Sequence, residues 1–373
     1  MPEITLDGLV KAYGGTRAAD GLSLTVRNGE YLCILGPTGS GKTTCLRMIC
    51  GLAVPDEGKV LFDGRDVTRE PVSRRKAAML SQVYSLFPSK TVYENVMFSP
   101  QTQEWPEDDA KQIVKSMIKM VHMEGKAHSY PRELSGGQQQ RTALARALAS
   151  DSDVLLLDEP LRALDARLRL ELRKELRSMV KEMGLTSIHV THDQDEALEM
   201  ADRIAVIRKG RIVQVGTPMD VFKNPLTPFV ANFVGRSNIF VGKMGRSFES
   251  HSEVMISSKE CQFTVRARRT DIQEGSDVVV AVKIGSTKLE KVQPDAVEEK
   301  EGYVSGRVER VLYEGATITV EIETPAGLVS AKLPNRKFED HVADDVVSIW
   351  WLPEAASVFR VPPEGLEDEL RLD

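Results

Sequence analysis

The octapeptide GPTGSGKT at residues 36–43 is the most informative part of this sequence. It follows the apolar run YLCIL at residues 31–35, which has the composition of a buried strand, and it precedes a helical pattern at residues 42–50. The spacing G-x-x-x-x-G-K-[ST] between a strand and a helix is typical of a loop that surrounds phosphate with backbone N–H groups. We therefore predict an α/β domain with a phosphate site at this loop.

Lys42 and Thr43 are the last two residues of this motif, and their side chains are predicted to bind phosphate and metal. The Lys42 ammonium would reach the β- and γ-phosphates of a nucleotide, and the Thr43 hydroxyl would bind Mg²⁺. The positive N-terminus of the following helix favours the same negative charge. A glycine-rich turn without a ligand is the alternative, and the strand and helix on either side argue against it.

A second strand pattern, VLLL at residues 154–157, ends in the carboxylates of Asp158 and Glu159. An aspartate at such a strand end can hold Mg²⁺ through water. The next residue, Glu159, is placed to polarise an attacking water molecule. Because many α/β strands end in aspartate, this motif indicates a Mg²⁺ site only in combination with the phosphate loop.

The run LSGGQQQR at residues 134–141 begins a helix. Ser135 and Gln138 have the spacing of a capping box, and two glycines leave bare N–H groups that favour an anion. An S-x-x-Q run by itself would usually be no more than a helix cap. In company with the phosphate loop and the acidic strand end, it predicts a second phosphate clamp.

The order and spacing of these three motifs resemble the nucleotide-binding subunits of ABC transporters across residues 3–235. This resemblance implies an α/β P-loop domain with a helical subdomain at about 83–150. It also implies ATP hydrolysis with Mg²⁺ by two subunits that trap ATP between them, as a homodimer or, alternatively, a heterodimer. The further partners implied are transmembrane permease subunits and, indirectly, an external solute-binding protein. The location implied is the cytoplasmic face of the cell membrane.

The resemblance also assigns single residues. Gln82 matches a glutamine that senses Mg²⁺ and the γ-phosphate, and Asp165 matches an aspartate at the dimer interface. The catalytic residues implied are Glu159, His192 and Lys42, and the Mg²⁺ ligands implied are Thr43, Gln82 and Asp158. The residues implied to bind ATP are Tyr13, Gly36, Pro37, Thr38, Gly39, Ser40, Gly41, Lys42, Thr43, Thr44, Ser135, Gly136, Gly137 and Gln138.

Short β-like runs separated by glycine and proline follow from about residue 237. They predict a small all-β, OB-like barrel at 236–362, followed by an acidic, mobile tail at 363–373. This part resembles the accessory barrels of importer ATPases for polyamines, iron, sugars or oxyanions. Residues 281–286 lack the Arg-Pro-Glu usual in those barrels. The stretches at 192–198 and 229–240 slightly favour the polyamine and iron importers.

The composition of the chain argues against several other classes of protein. The 373 residues carry 49 basic and 55 acidic side chains, a balance that gives no case for nucleic-acid binding. No apolar stretch is long enough for a membrane span, and the N-terminus has no signal-peptide pattern, so any membrane attachment is expected through a partner. Four cysteines without metal-ligand spacing are expected to be buried, reduced thiols: Cys33, Cys45, Cys50 and Cys261.

Other P-loop proteins fit the sequence less well. It contains no N-K-x-D motif for guanine, no coiled coil between the motifs as in SMC-like ATPases, and one cassette where translation-factor ABC proteins have two. A regulator-binding role for the β domain stays open as an alternative. Arg162, where related importers usually have serine, is either a solvated side chain or a residue that tunes dimer closure or partner choice.

Overall fold

Two units make up the part of the chain that the computed structural model describes, namely residues 1–257, 262–292, 302–337 and 342–371. The first unit is Met1–Met219 and the second is Asp220–Arg371. The second unit therefore begins before the expected boundary at residue 236, because two short helices cluster with the β-strands that follow them. Cys261 lies outside the described residues, whereas Cys33, Cys45 and Cys50 are buried free thiols.

The first unit contains two sheets and a set of helices. Its strands are β1 (Ile4–Tyr13), β2 (Thr16–Val26), β3 (Tyr31–Leu35), β4 (Glu57–Phe62), β5 (Arg65–Asp66), β6 (Ala77–Leu80), β7 (Val154–Asp158), β8 (Thr186–Thr191), β9 (Arg203–Arg208) and β10 (Arg211–Gly216). Its helices are α1 (Lys42–Cys50), α2 (Val92–Thr102), α3 (Glu107–Met120), α4 (Gly136–Leu148), α5 (Ala166–Glu182) and α6 (Gln194–Met200).

The central sheet of the first unit has the strand order β10-β9-β3-β8-β7-β6. Its five strands from β9 to β6 are parallel, and β10 is antiparallel to β9. Strands β3 and β7 are buried throughout, which is why they are continuous apolar runs without alternation. Because the carboxyl ends of parallel strands meet at one edge, the loops after β3, β6, β7 and β8 come together there.

Three helices, α2, α3 and α4, pack together between β6 and β7 and form the helical part expected at about 83–150. The helical pattern extends over residues 94–130 in the sequence, but the chain breaks between α2 and α3. Glu104 has a positive φ of 56°, and Pro106 precedes the first residue of α3. Proline lacks an N–H and disfavours a helical residue before it, so a continuous helix is excluded.

The second unit is mainly antiparallel β-structure, which confirms the all-β prediction. Its helices are α7 (Pro218–Lys223), α8 (Pro228–Gly235) and α9 (Leu366–Leu370), the first of which begins at the boundary. Its strands are β11 (Ser237–Ser247), β12 (Ser252–Ser257), β13 (Gln262–Ala267), β14 (Asp277–Lys283), β15 (Lys288–Lys291), β16 (Val304–Tyr313), β17 (Thr317–Thr324), β18 (Gly327–Pro334), β19 (Val346–Trp350) and β20 (Ala356–Arg360).

These strands form two sheets, ordered β13-β12-β11-β14-β20 and β15-β19-β16-β17-β18. Side chains from both sheets share one buried core, for example Val280 of the first and Val320 of the second. The acidic tail contains α9, which packs on α8, and the Phe229 N–H donates to the Glu369 carboxylate at 3.2 Å. No helix among the described residues is long and apolar enough to cross a membrane.

Candidate nucleotide site

The phosphate loop connects β3 to α1, as the motif predicts. Gly36 and Gly41 have no room for a side chain, because a Cβ would lie 2.3 Å from the Ile207 carbonyl oxygen and 1.9 Å from that of Ala18, respectively. Gly41 also has a φ of 99°, which favours glycine. Because Gly41 has no side chain to cap α1, the first N–H groups of the helix remain directed into the loop.

Two buried polar side chains of this loop differ in their partners. The Lys42 ammonium donates to the carbonyl oxygens of Gly36 at 2.8 Å and Pro37 at 2.7 Å, so it lies across the loop. The Ser40 hydroxyl is buried and has no hydrogen-bond partner among the described residues. A buried hydroxyl without a partner is costly, so this atom indicates that the loop is built for a polar ligand.

Thr43 and Asp158 face each other between α1 and the end of β7. The Thr43 hydroxyl donates to the Asp158 carboxylate at 3.1 Å. Burial raises the pKa of Asp158, and the Thr43 hydrogen bond opposes that shift. Burial also lowers the pKa of Lys42, while the charges of Glu159 and Asp158 act in the opposite direction. Two hard oxygen donors therefore lie beside the phosphate loop.

Glu159 follows β7 in a left-handed conformation, with a φ of 50°. Its N–H donates to the Val190 carbonyl oxygen at 3.0 Å, which ties the turn to β8. One carboxylate oxygen lies 2.9 Å from Nδ1 of His192, and the other accepts from Arg162 at 2.8 Å. Burial alone would raise the pKa of Glu159, but the hydrogen bonds and charges of His192 and Arg162 outweigh it and hold that pKa below its usual value.

The signature run, residues 134–141, leads into α4 with the predicted capping box. Gln138 donates its N–H to the Ser135 hydroxyl at 3.4 Å, and its side-chain oxygen accepts from the Ser135 N–H at 2.9 Å. Gly137 needs its small size, because a Cβ would lie 2.9 Å from the Ala163 carbonyl oxygen. Among the described residues, no hydrogen bond or ion pair joins 135–138 to the phosphate loop, and Ser135 and Gly136 are exposed.

The other predicted residues lie on four different elements or loops of the first unit. Tyr13 is exposed at the end of β1, with Lys11 Nζ 5.7 Å from its ring centre. Gln82 is exposed two residues beyond β6, the strand that pairs with β7. Thr44 is half-buried in the first turn of α1. Asp165 caps α5, where its carboxylate accepts from the Leu168 N–H at 3.0 Å.

Two residues of α4 that the sequence analysis did not single out join these loops. Gln140, only 3% exposed, donates its amide to the Glu159 carbonyl oxygen at 2.9 Å and accepts from the Ala163 N–H at 3.0 Å. Arg146 donates to the carbonyl oxygens of Ser85 at 2.9 Å and Tyr84 at 3.3 Å. The signal for Gln140 was available, because a polar residue stands there on the buried face of an amphipathic helix.

Comparison with known proteins agrees with this geometry. The family model described as ABC transporter matches residues 19–162, and the TOBE domain model matches residues 290–359. In structure, the chain resembles a dimeric ATP-binding cassette, MJ0796, solved in a post-hydrolysis state with ADP and Pi. That match has a TM-score of 0.53 and 31% identity, and it covers 58% of this chain and 98% of the other. The fold and the site thus define an ABC-type ATPase that binds ATP.

Some relatives match nearly the whole chain, and they narrow the assignment within the ABC-type ATPases. The chain is 39% identical to the spermidine/putrescine import ATP-binding protein PotA of Acidothermus cellulolyticus, over 95% of this chain and 93% of the relative. It is 38% identical to the protein of that name from Mannheimia succiniciproducens, over 94% of each chain. The chain therefore belongs to the family of ABC transporter import ATP-binding proteins.

Proposed function

We propose that this chain hydrolyses ATP to drive the import of a polyamine through a membrane permease, working at the cytoplasmic face of the membrane. The observation that carries the ATPase part is the phosphate loop, in which Lys42 and the unpartnered Ser40 hydroxyl lie beside two carboxylates. The names of the relatives support a polyamine over iron, a sugar or an oxyanion.

We propose that residues of this chain bind ATP at both of its ends, the phosphates and the adenine ring. The N–H groups of 36–43 and the Lys42 ammonium would hold the β- and γ-phosphates, with the Ser40 hydroxyl donating to a phosphate oxygen. Thr44 lies in the same first turn of α1. Tyr13, which is 49% exposed, is free to stack on the adenine ring.

Mg²⁺ is proposed to bind together with ATP. The oxygens of Thr43 and Asp158 fit it, because Mg²⁺ prefers hard oxygen ligands and often takes few from the protein. Gln82 is the third proposed ligand. Among the described residues, no group of three or more His, Cys, Asp or Glu side chains is placed to hold a metal. The ion would neutralise charge on the phosphate oxygens.

Hydrolysis is proposed to use Glu159 as the base. Its carboxylate would accept a proton from the water that attacks the γ-phosphorus, as the bond from that phosphorus to the ADP oxygen breaks. His192, within 2.9 Å of Glu159, would contact the γ-phosphate and stabilise its charge in the transition state. Lys42 would stabilise the same charge from the phosphate loop.

A second ATPase subunit is proposed to complete each site. Ser135, Gly136, Gly137 and Gln138 lie at an open helix N-terminus, which favours an anion. Within the described part of the chain, these residues form no hydrogen bond or ion pair with the phosphate loop of their own subunit, which supports binding to ATP held by the other one. A homodimer is favoured because one chain carries both halves of the site, and a heterodimer is the alternative.

The loop after β6 is proposed to contact the permease, with the external solute-binding protein acting only through that permease. Phe87 in this loop packs against Phe98 with ring centres 4.4 Å apart and ring planes tilted by 42°, and its N–H donates to Asn95 at 2.9 Å. Val83 is 76% exposed, which leaves an apolar side chain available to a partner helix.

The test is transport by the chain assembled with its co-purified permease and solute-binding protein in proteoliposomes. We expect spermidine or putrescine outside the vesicle to raise ATP turnover and to accumulate inside. The Lys42→Ala protein serves as the control without turnover. Stimulation by a sugar, ferric iron or an oxyanion, but by neither polyamine, would contradict the proposed substrate and leave the ATPase assignment standing.

A further inference from the structure

Arg162 contacts the proposed base directly. Its Nη1 donates to Oε2 of Glu159 at 2.8 Å, three residues back along the chain. Oε1 of the same carboxylate lies 2.9 Å from His192. Both oxygens of Glu159 are therefore engaged by side chains of its own subunit.

The two side chains of this ion pair differ in solvent exposure. The Glu159 side chain is 12% exposed, whereas the Arg162 side chain is 58% exposed. The main chain below them is fixed, because Gln140 bonds Glu159 and Ala163, and Arg169 donates to the Leu164 carbonyl oxygen at 3.0 Å. The Arg162 side chain can therefore leave without disturbing the turn.

A general base must direct an oxygen lone pair at the attacking water. A guanidinium bound to Oε2 occupies that oxygen and withdraws charge from it. We propose that Arg162 is a positioning residue that restrains the Glu159 carboxylate and thereby lowers ATP turnover. This inference rests on the proposed role of Glu159 as the base.

The experiment measures kcat and KM for ATP in four full-length proteins: wild type, Arg162→Ser, Arg162→Lys and Arg167→Ser. Arg167 is the matched control, since its side chain is 90% exposed and pairs at 3.2 Å with Glu171, four residues further along the same helix, α5. We expect Arg162→Ser to raise kcat about 2- to 5-fold, the range of a mostly exposed ion pair. KM should stay unchanged, because Arg162 does not touch the phosphate loop.

Two further measurements distinguish a restraint on Glu159 from a merely structural role of Arg162. Arg162→Lys keeps a cation and should retain the wild-type kcat, as should Arg167→Ser. The ratio of the Arg162→Ser kcat to the wild-type kcat should fall towards one at high salt, which screens exposed pairs. An unchanged or lowered kcat for Arg162→Ser, or an equal rise in Arg162→Lys, would overturn the proposal.

The Glu159→Gln protein distinguishes this failure from a failure of the proposed function. If Glu159→Gln abolishes turnover while Arg162→Ser matches the wild type, Glu159 is the base and the restraint is absent. If Glu159→Gln retains turnover, the role of Glu159 itself is wrong, and the restraint falls with it.

Discussion

At the phosphate loop, one lysine side chain is held in position by main-chain oxygens. Lys42 is 6% exposed and donates to the carbonyl oxygens of Gly36 and Pro37. Its cationic head is thus held beside the N–H groups that would bind phosphate, with little freedom to lose on binding. Such preorganised charge is the largest source of transition-state stabilisation in many enzymes.

We expect Lys42→Ala to lower kcat for ATP by about 100-fold or more, because the γ-phosphate loses its cation in the transition state. Lys59→Ala is the matched control, since Lys59 is an exposed lysine of β4 in the same unit. Steady-state phosphate release measures both proteins. Turnover within a few-fold of the wild type in Lys42→Ala would contradict the role of this residue.

The sequence predicted the contacts of some site residues and not those of others. The phosphate loop and the Ser135–Gln138 cap follow from motifs in which local spacing fixes geometry. The contact of Glu159 with His192 did not follow, because these residues lie 33 positions apart in the chain. The acceptor for Arg162 did not follow, because it depends on the left-handed turn at Glu159, with a φ of 50°. Non-glycine residues rarely adopt that conformation, so spacing in the sequence does not indicate it.

Among the elements, α4 connects the parts of the site. Ser135 caps its first turn, Gln140 holds the loop after β7, and Arg146 near its end holds the loop after β6. Arg146 also lies 5.3 Å from the Phe87 ring centre. Because α4 has contacts at both ends and in its middle, it can fix the positions of the signature run, the base and the proposed permease surface relative to one another.

Gln140→Ala removes both hydrogen bonds to the loop that carries Glu159. We expect the free energy of unfolding to fall by about 1–3 kcal/mol, the cost of leaving buried groups unpaired, and kcat to fall because Glu159 is less well positioned. Gln112→Ala on the exposed face of α3 is the control. Urea unfolding and ATP turnover measure the two effects, and a kcat equal to that of the control would remove Gln140 from the positioning of the base.

Element boundaries show where sequence patterns lose information. The strands predicted at 31–35 and 154–157 correspond to β3 and β7, because full burial makes these stretches continuous apolar runs. The break between α2 and α3 was missed, since apolar residues on both sides keep one helical period. The helix α9 was missed because its stability comes from contact with α8, which the acidic composition of the tail does not reveal.

For the whole molecule, composition and strand spacing predicted an α/β part followed by an all-β part. Strand order within each sheet did not follow, because pairing between distant segments is decided by the packing of the whole unit. The boundary also depends on packing, since α7 and α8 cluster with the β-strands that follow them.

The central claim is that two copies of this chain trap ATP between a phosphate loop and a signature run. Glu159→Gln tests it most directly, because this change keeps ATP binding but removes the base, so the closed dimer should persist. Size-exclusion chromatography with light scattering compares the protein with and without ATP. We expect a dimer with ATP and a monomer without it, whereas a monomer under both conditions, or near-normal turnover, would contradict this claim.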